Sequence, residues 1–334
     1  MGPTLNKIRN RFESSDFGLS ILDKLTNNQI YRKYINQISE KKINKIKKNK
    51  SYNFGIENAS FCNAHCTFCP NAKMKRKKMI MSMEVFSKIV DRIKKEGIAP
   101  TQFNMSGTGE PLIDKNLFKK IRLLKKEFPE ATVFFPTNLN LANENIRKNM
   151  IDSGLDNISV SLNANFAKDY KKIMGLDYKT TIDNLNKLIS MRNKAKSKLK
   201  INLKLAANPV NKDSIDKFIG KWEKRVDSIG VSWIHSWAGS VANGSTNEDK
   251  IPRYPCRQIF EQIVILANGD VALCCIDYEG TIIGGNVMKD KILDAFYSLK
   301  INKIRQMQKN GKIRDIKLCS KCRFSERGLY WLIG

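Results

Sequence analysis

Between residues 52 and 237, short apolar runs alternate with amphipathic ones, and this alternation limits the fold more than any other feature. Strands are expected at 53–58, 102–106, 132–136, 157–163, 200–206 and 230–234. Helices are expected between them at 83–96, 116–128, 143–153, 181–196 and 214–226. Runs such as Val133, Phe134 and Phe135 are apolar enough to be covered on both faces. Repeated βα units of this kind predict an α/β protein with a parallel sheet and helices outside it. About six units are too few for a closed eight-stranded barrel, so a partial, TIM-like (β/α)6 barrel is the expected architecture.

The rhythm changes after Trp237. Residues 238–252 are rich in Gly, Ser and Asn and read as a linker. Two alternating runs, 262–267 and 270–275, then flank Asn268-Gly269, the pair that suits a type I′ hairpin turn. A basic helix near 295–309 and a cysteine-bearing tail complete a small second domain of hairpin and helix over 253–334. Residues 1–50 read as a basic arm with helices at 16–26 and 29–47 and no strong apolar stripe. The expected plan is therefore an arm (1–50), a barrel (51–237), a linker (238–252) and the second domain (253–334).

At 334 residues with 41% hydrophobic content, the chain can bury a full core. No run approaches the roughly 18 apolar residues of a membrane span, and the N-terminus lacks an apolar targeting core, so a cytoplasmic location without membrane contact is expected. The net charge of +28 is carried largely by lysines spread over many helix faces. That pattern suits a solvated surface better than a nucleic-acid footprint, and it leaves room for an acidic substrate or partner, such as a phosphorylated or nucleotide-linked molecule.

The eight cysteines are clustered, with Cys62, Cys66 and Cys69 in one group and Cys256, Cys274, Cys275, Cys319 and Cys322 in the other. In a reducing compartment such clusters bind metal or carry redox chemistry rather than disulfides. With only two histidines, His65 and His235, a histidine-rich metal site is excluded. Three thiolates on one short loop suit an iron–sulfur cubane with one iron left open, and an open iron can chelate the amino and carboxylate groups of a methionine.

In the spacing Cys62-x3-Cys66-x2-Cys69 the chain resembles the radical S-adenosylmethionine (radical SAM) enzymes. The stretch Ser106-Gly107-Thr108-Gly109-Glu110-Pro111 resembles that family's Gly-Gly-Glu-Pro motif, with Thr108 in place of a glycine. Thr137-Asn138-Leu139 resembles its Thr-Asn-Gly turn, with Leu139 where the family has glycine. The resemblance implies a SAM-binding [4Fe–4S] cluster on Cys62, Cys66 and Cys69, and S-adenosylmethionine as cofactor. It places Phe68 beside the adenine, Gly107, Thr108, Gly109 and Glu110 by the methionine, Asn138 at the turn, and Ser161 and Asn163 on the ribose hydroxyls. Asn208 is a further contact candidate. Cys256, Cys274, Cys319 and Cys322 resemble the short "twitch" version of the SPASM domain and imply an auxiliary [4Fe–4S] cluster, with Cys274 favoured over Cys275. A four-thiolate zinc ribbon is the alternative reading of the same residues.

What this implies is reductive cleavage of S-adenosylmethionine to a 5′-deoxyadenosyl radical, which abstracts hydrogen from a substrate. An all-cysteine auxiliary cluster has no iron free for substrate, so the expected outcome is a two-electron oxidation of a small polar or sugar-like molecule. Asp277, Glu279, Arg257 and Tyr254, near the auxiliary cysteines in sequence, are the candidate groups for the proton transfer this needs. A reductant such as flavodoxin or ferredoxin is the expected partner. Two other functions were weighed: a peptide-modifying radical maturase, and a zinc-ribbon protein that binds nucleic acid. Trp233, His235 and Trp237 either line the substrate pocket or pack the domain junction.

Overall fold

Buried and less buried residues alternate along the central strands, and that alternation decides which face of the sheet meets the helices. The computed structural model describes residues 24–241, 251–326, 328 and 331–332. Six parallel strands run from β1 (Ser51–Ile56) through β2 (Ala99–Asn104), β3 (Thr132–Thr137), β4 (Asn157–Ser161) and β5 (Lys200–Ala207) to β6 (Ser228–Trp233). Between them lie α2 (Met83–Lys95), α3 (Leu117–Glu127), α4 (Glu144–Asp152), α5 (Ala167–Met174), α6 (Tyr178–Lys194) and α7 (Ile215–Trp222); α1 (Gln29–Asn49) precedes β1.

One face of this sheet carries Phe54, Ile56, Phe103, Val133, Phe135, Ile158, Val160 and Leu203. They are fully buried in one core with the helix residues Phe86, Ile89, Ile121, Leu124, Leu188 and Trp222. The other face carries Asn53, Asn104, Phe134, Ser159, Ser161, Asn202 and Lys204, which are only partly covered or exposed. A helix-packed outer face and a polar inner face are what a half-barrel requires. The sheet does not close: its order is β6-β5-β4-β3-β2-β1-β7-β8-β9, with β6 at the open edge.

β7 (Gln262–Ile265) adds to the far side of β1 in parallel, and β8 (Asp270–Ala272) and β9 (Ile283–Asn286) follow antiparallel. The C-terminal hairpin therefore prolongs the barrel sheet instead of standing apart from it. Its turn corrects the type I′ expectation. Only Gly269 has a positive φ, +90°, and its N–H donates to the Leu266 carbonyl at 2.8 Å. Asn268 has no positive φ, so the loop is a turn closed by one left-handed glycine rather than a type I′ turn.

The basic helix expected near 295–309 is two pieces after α8 (Gln258–Glu261): α9 (Ile292–Phe296) and α10 (Leu299–Lys309). A short α11 (Lys317–Ser320) carries Cys319. The N-terminal arm is no loose appendage. On α1, Ile35 and Ile43 pack with Tyr254, Ile259, Phe260, Leu273, Ile301 and Trp331 in a second core. The helix expected at 16–26 lies almost wholly outside the described residues, as do positions 242–250 of the expected linker. No helix among the described residues is long and apolar enough to cross a membrane.

Candidate functional site: two cysteine clusters on a half-barrel

Beyond Ile56 the chain leaves the sheet and wraps Cys62, Cys66 and Cys69 over the C-terminal ends of the strands. The loop is held from behind by α5, a helix absent from the sequence reading: His65 N–H donates to Met174 O and Thr67 N–H to Ile173 O, both at 3.0 Å. Cys69 N–H returns to Cys66 O at 3.1 Å, which turns the loop tightly enough to aim the thiols together. His65 itself is exposed. Burial pushes the Cys62 thiol up to about 11, against the pull of the Ala64 N–H. It raises Cys66 further, with repulsion from Cys69 and Cys62 adding to the effect. Cys69 is raised by burial as well. Thiolates crowded like this are stable only with compensating positive charge between them, and an iron–sulfur cluster supplies it. The donor set therefore fits the group.

The loop after β2 closes the site from the side. Gly109 backs onto the Ala59 and Phe61 carbonyls, where an added Cβ would stand 2.2 and 2.6 Å from their oxygens. Only glycine permits that approach. Glu110 N–H donates to Phe61 O at 2.8 Å. The Glu110 side chain is wholly buried and turned inward: it accepts from Leu112 N–H (3.1 Å), Thr137 Oγ1 (2.7 Å) and Asn138 N–H (2.8 Å). Burial pushes its carboxyl up to about 7 despite these donors. These contacts fix the loop to the end of β3.

Asn138 donates to Asn63 Oδ1 at 2.8 Å and so ties the end of β3 to the cysteine loop. The next residue, Leu139, keeps the left-handed conformation (φ 60°) of the glycine it replaces. Thr108 is buried; its carbonyl accepts from Asn71 Nδ2 at 3.0 Å, while its Oγ1 has no partner. Gly107 lies against Glu57, and Phe68 is half-buried beside the outer core. Ser161 ends β4 half-exposed on the inner face. Asn163 lies past the strand end, with Oδ1 accepting from Ala206 N–H (2.8 Å) and Nδ2 on Met174 Sδ (2.9 Å). Asn208 is spent on its own turn, donating to Ala206 O and accepting from Val210 N–H.

The second cysteine set converges where α8, the hairpin and α11 meet. Cys256 and Cys319 are buried, Cys274 and Cys322 half-buried, and Cys275 exposed. Burial raises the Cys274 thiol well above its ordinary value, with repulsion from Cys275, Cys322, Cys256 and Cys319 behind it. Burial pushes Cys319 up to about 12, next to Cys322. Among the described residues no group of three or more His, Cys, Asp or Glu is set to hold a single ion; a cubane spreads its ligands more widely than one tetrahedral metal does. The buried Gln308 bridges the set, accepting from Cys256 N–H at 2.7 Å and donating to Cys319 Sγ at 3.3 Å. Arg253 donates to the Cys319 and Cys322 carbonyls.

The four proton-transfer candidates all have partners of their own. Both Asp277 oxygens are engaged by its own loop: Oδ1 accepts from Thr281 N–H and Oγ1, Oδ2 from Ile282 N–H, at 2.7–2.8 Å. Glu279 accepts from the backbone N–H groups of Lys75 and Arg76. Arg257 pairs with Glu261 at 2.6 Å. Tyr254 is buried under α1 and donates to Thr26 O. The His235 and Trp237 rings pack tilted, 4.6 Å between centres, and reach Phe324 and Tyr278, whereas Trp233 is exposed.

Sequence reading missed Asn71, Gln308 and Met174. An asparagine after Pro70, a glutamine in a basic helix and a methionine at a helix end carry no spacing signal; only the fold reveals them.

Two cysteine clusters carried by a half-barrel and its C-terminal extension point to a radical enzyme with an added iron–sulfur domain, and the comparisons agree. The family model described as "Radical SAM superfamily" matches residues 56–203, and that of the SPASM "iron-sulfur cluster-binding domain" matches 256–323. The chain belongs to the radical SAM superfamily and carries a C-terminal SPASM domain; its cofactors are S-adenosylmethionine and iron–sulfur clusters. The iron–sulfur match displaces the zinc-ribbon reading.

It is 22% identical over 272 residues to the S-adenosyl-L-methionine-dependent 2-deoxy-scyllo-inosamine dehydrogenase of Niallia circulans, covering 80% of this chain and 90% of that one. Among solved structures it resembles BtrN in complex with AdoMet and 2-DOIA (18% identity, TM-score 0.58, 81% of this chain and 92% of that one). It also resembles Streptococcus suis SuiB bound to the precursor peptide SuiA (16% identity, TM-score 0.62, 78% of this chain and 69% of that one). At these identities the structural likenesses show the fold.

Proposed function

We propose that the protein is a radical SAM dehydrogenase that oxidises a secondary alcohol of a small polyhydroxylated ring to a ketone. One observation carries the reading: the thiols of Cys256, Cys274, Cys319 and Cys322 gather in one place, close enough to repel one another. Such a site binds a fully ligated cluster, suited to accepting an electron rather than a substrate. The likeness to the inosamine dehydrogenase over 90% of its length supports the same reading. Bound there, the clusters and S-adenosylmethionine supply the radical that takes the carbinol hydrogen and the acceptor for the second electron, with the hydroxyl proton leaving to a base or water.

The chain's own residues hold and shape. Cys62, Cys66 and Cys69 would ligate the first cluster, and Cys256, Cys274, Cys319 and Cys322 the second. Gly109 lets the loop close on the cysteines, Glu110 fixes that loop to β3, and Ser161 offers a hydroxyl for ribose. Phe68, Gly107, Thr108, Asn138 and Asn163 complete the proposed SAM contacts. The surplus of basic residues fits an acidic reductant of the flavodoxin or ferredoxin type in the cytoplasm, and it equally fits a phosphorylated or nucleotide-linked form of the ring.

The test is anaerobic incubation of the reconstituted protein with dithionite, S-adenosylmethionine and 2-deoxy-scyllo-inosamine, each product being quantified by mass spectrometry. The expected result is 5′-deoxyadenosine and the ring ketone in equal amounts. 5′-Deoxyadenosine without ketone from this ring or from other cyclitols and sugars would remove the dehydrogenase reading.

A further inference from the structure

The inner face of the sheet holds two side-chain amides, each with a buried oxygen left unpaired among the described residues. These are Asn104 Oδ1, on the last residue of β2, and Gln262 Oε1, at the start of β7. Both flank β1. Asn104 pairs in register with Gly55, and Gln262 pairs with Asn53. The Gln262 side chain extends along the sheet to Gly55, where an added Cβ would lie 3.4 Å from its Nε2 and 3.5 Å from Val264 Cγ2. The neighbouring Phe54 and Phe103 point the opposite way, stacked at 5.3 Å in the outer core. The two amides therefore look into the half-barrel, either side of a strand position with no side chain.

A buried carbonyl oxygen left unpaired destabilises the fold, and folded proteins keep few of them. Two such oxygens on the concave face of an enzyme are acceptors in wait for donors. Beside them Val264, Leu266 and Ala272 form a small apolar cluster separate from the main core. Across the face, on β5, Lys204 is exposed and paired in register with Ser161.

We infer that Asn104 and Gln262 form the substrate subsite, two acceptors that receive hydroxyl or ammonium hydrogens of a small polyhydroxylated or amino-substituted ring, with Gly55 giving the ring room. This inference rests on the dehydrogenase reading and names the residues that select its substrate. An apolar wall next to paired acceptors matches such a ring, which has C–H faces and donor edges. A site built on acceptors rejects analogues that lack the donor, because its own buried oxygens are then left unpaired.

The test uses the reconstituted holoenzyme with S-adenosylmethionine bound and two probes, 2-deoxy-scyllo-inosamine and myo-inositol, with affinity measured calorimetrically without reductant. Asn104→Leu and Gln262→Met remove the acceptors at similar volume, and Gly55→Val fills the recess. Affinity for the better probe is expected to fall about tenfold or more in each variant. Meanwhile the thermal midpoints of Asn104→Leu and Gln262→Met stay level or rise, since an unpaired buried acceptor has been removed. Unchanged affinity in both amide variants overturns the inference, and so does failure of the wild type to bind either ring. A drop in the thermal midpoint of both amide variants, with affinity retained, assigns the amides to structure and also overturns it. Loss of binding in the variants of a wild type that yields no ketone supports the subsite and removes the dehydrogenase reading alone.

Discussion

At the scale of single residues, Glu110 shows how a motif's conserved-looking acid can serve geometry before chemistry. Its carboxyl sits at about 7 in the folded protein, above an ordinary value of 4.5, because burial outweighs three good donors. A carboxyl raised in this way favours the fold when protonated. Its contribution is complete below about pH 4.5 and is lost as the pH rises through about 7. Urea midpoints of the holoenzyme at pH 5 and pH 8 should therefore differ more for the wild type than for Glu110→Gln, which is neutral throughout. Equal differences would show that Glu110 is not the titrating group. Leu139 makes a related point. A branched side chain at φ 60° costs about 1–2 kcal/mol of backbone strain, yet the residue is fully buried, so packing offsets what glycine would avoid.

Among the elements, the joint between α3 and the end of β1 depends on one buried charge. Lys120 is fully buried and donates to Asp114 Oδ2 (2.7 Å), Met81 O (2.6 Å) and Asn58 Oδ1 (3.0 Å), which fixes the chain just before the cysteine loop. Removing the ammonium leaves Asp114 charged and buried. Lys120→Met should cost about 3–5 kcal/mol in urea unfolding, and adding Asp114→Asn should recover part of it. A loss below about 1 kcal/mol in the single variant would contradict this account.

The same scale shows what the sequence could tell. The six strands and their helices were legible because two-residue and 3.6-residue periods produce the outer core directly, as Phe54, Phe103 and Val133 show. The helix α5 was not, since Ala167–Met174 follows the strand end closely and buries only Tyr170, Ile173 and Met174. The role of α1 was hidden as well: its buried column of Ile35, Ser39 and Ile43 is one residue wide and includes a serine. The candidate metal ligands stand out in the sequence by their spacing. The groups around them do not, because Asn71, Asn104, Gln262 and Gln308 acquire meaning only from which strand end or helix face they share.

For the whole molecule, the two iron–sulfur domains share one continuous sheet, and side chains fasten them further. Arg76, seven residues past Cys69, donates to Glu57 Oε1 (2.7 Å) at the end of β1 and to Tyr278 O (3.0 Å) beside the auxiliary cysteines. Glu279 grips the backbone of Lys75 and Arg76 from the other side, and Glu57 Oε2 accepts from Ala267 N–H at 3.0 Å. The two thiol sets are thus held at a fixed separation, as transfer of an electron between a substrate in the barrel and the second set requires. The central claim is that both sets hold clusters. It is tested most directly by iron and sulfide analysis of the anaerobically reconstituted protein beside a Cys62→Ala/Cys66→Ala/Cys69→Ala variant. About eight irons per chain falling to about four in the variant is the expected result. Iron content unchanged by loss of the three cysteines would contradict it.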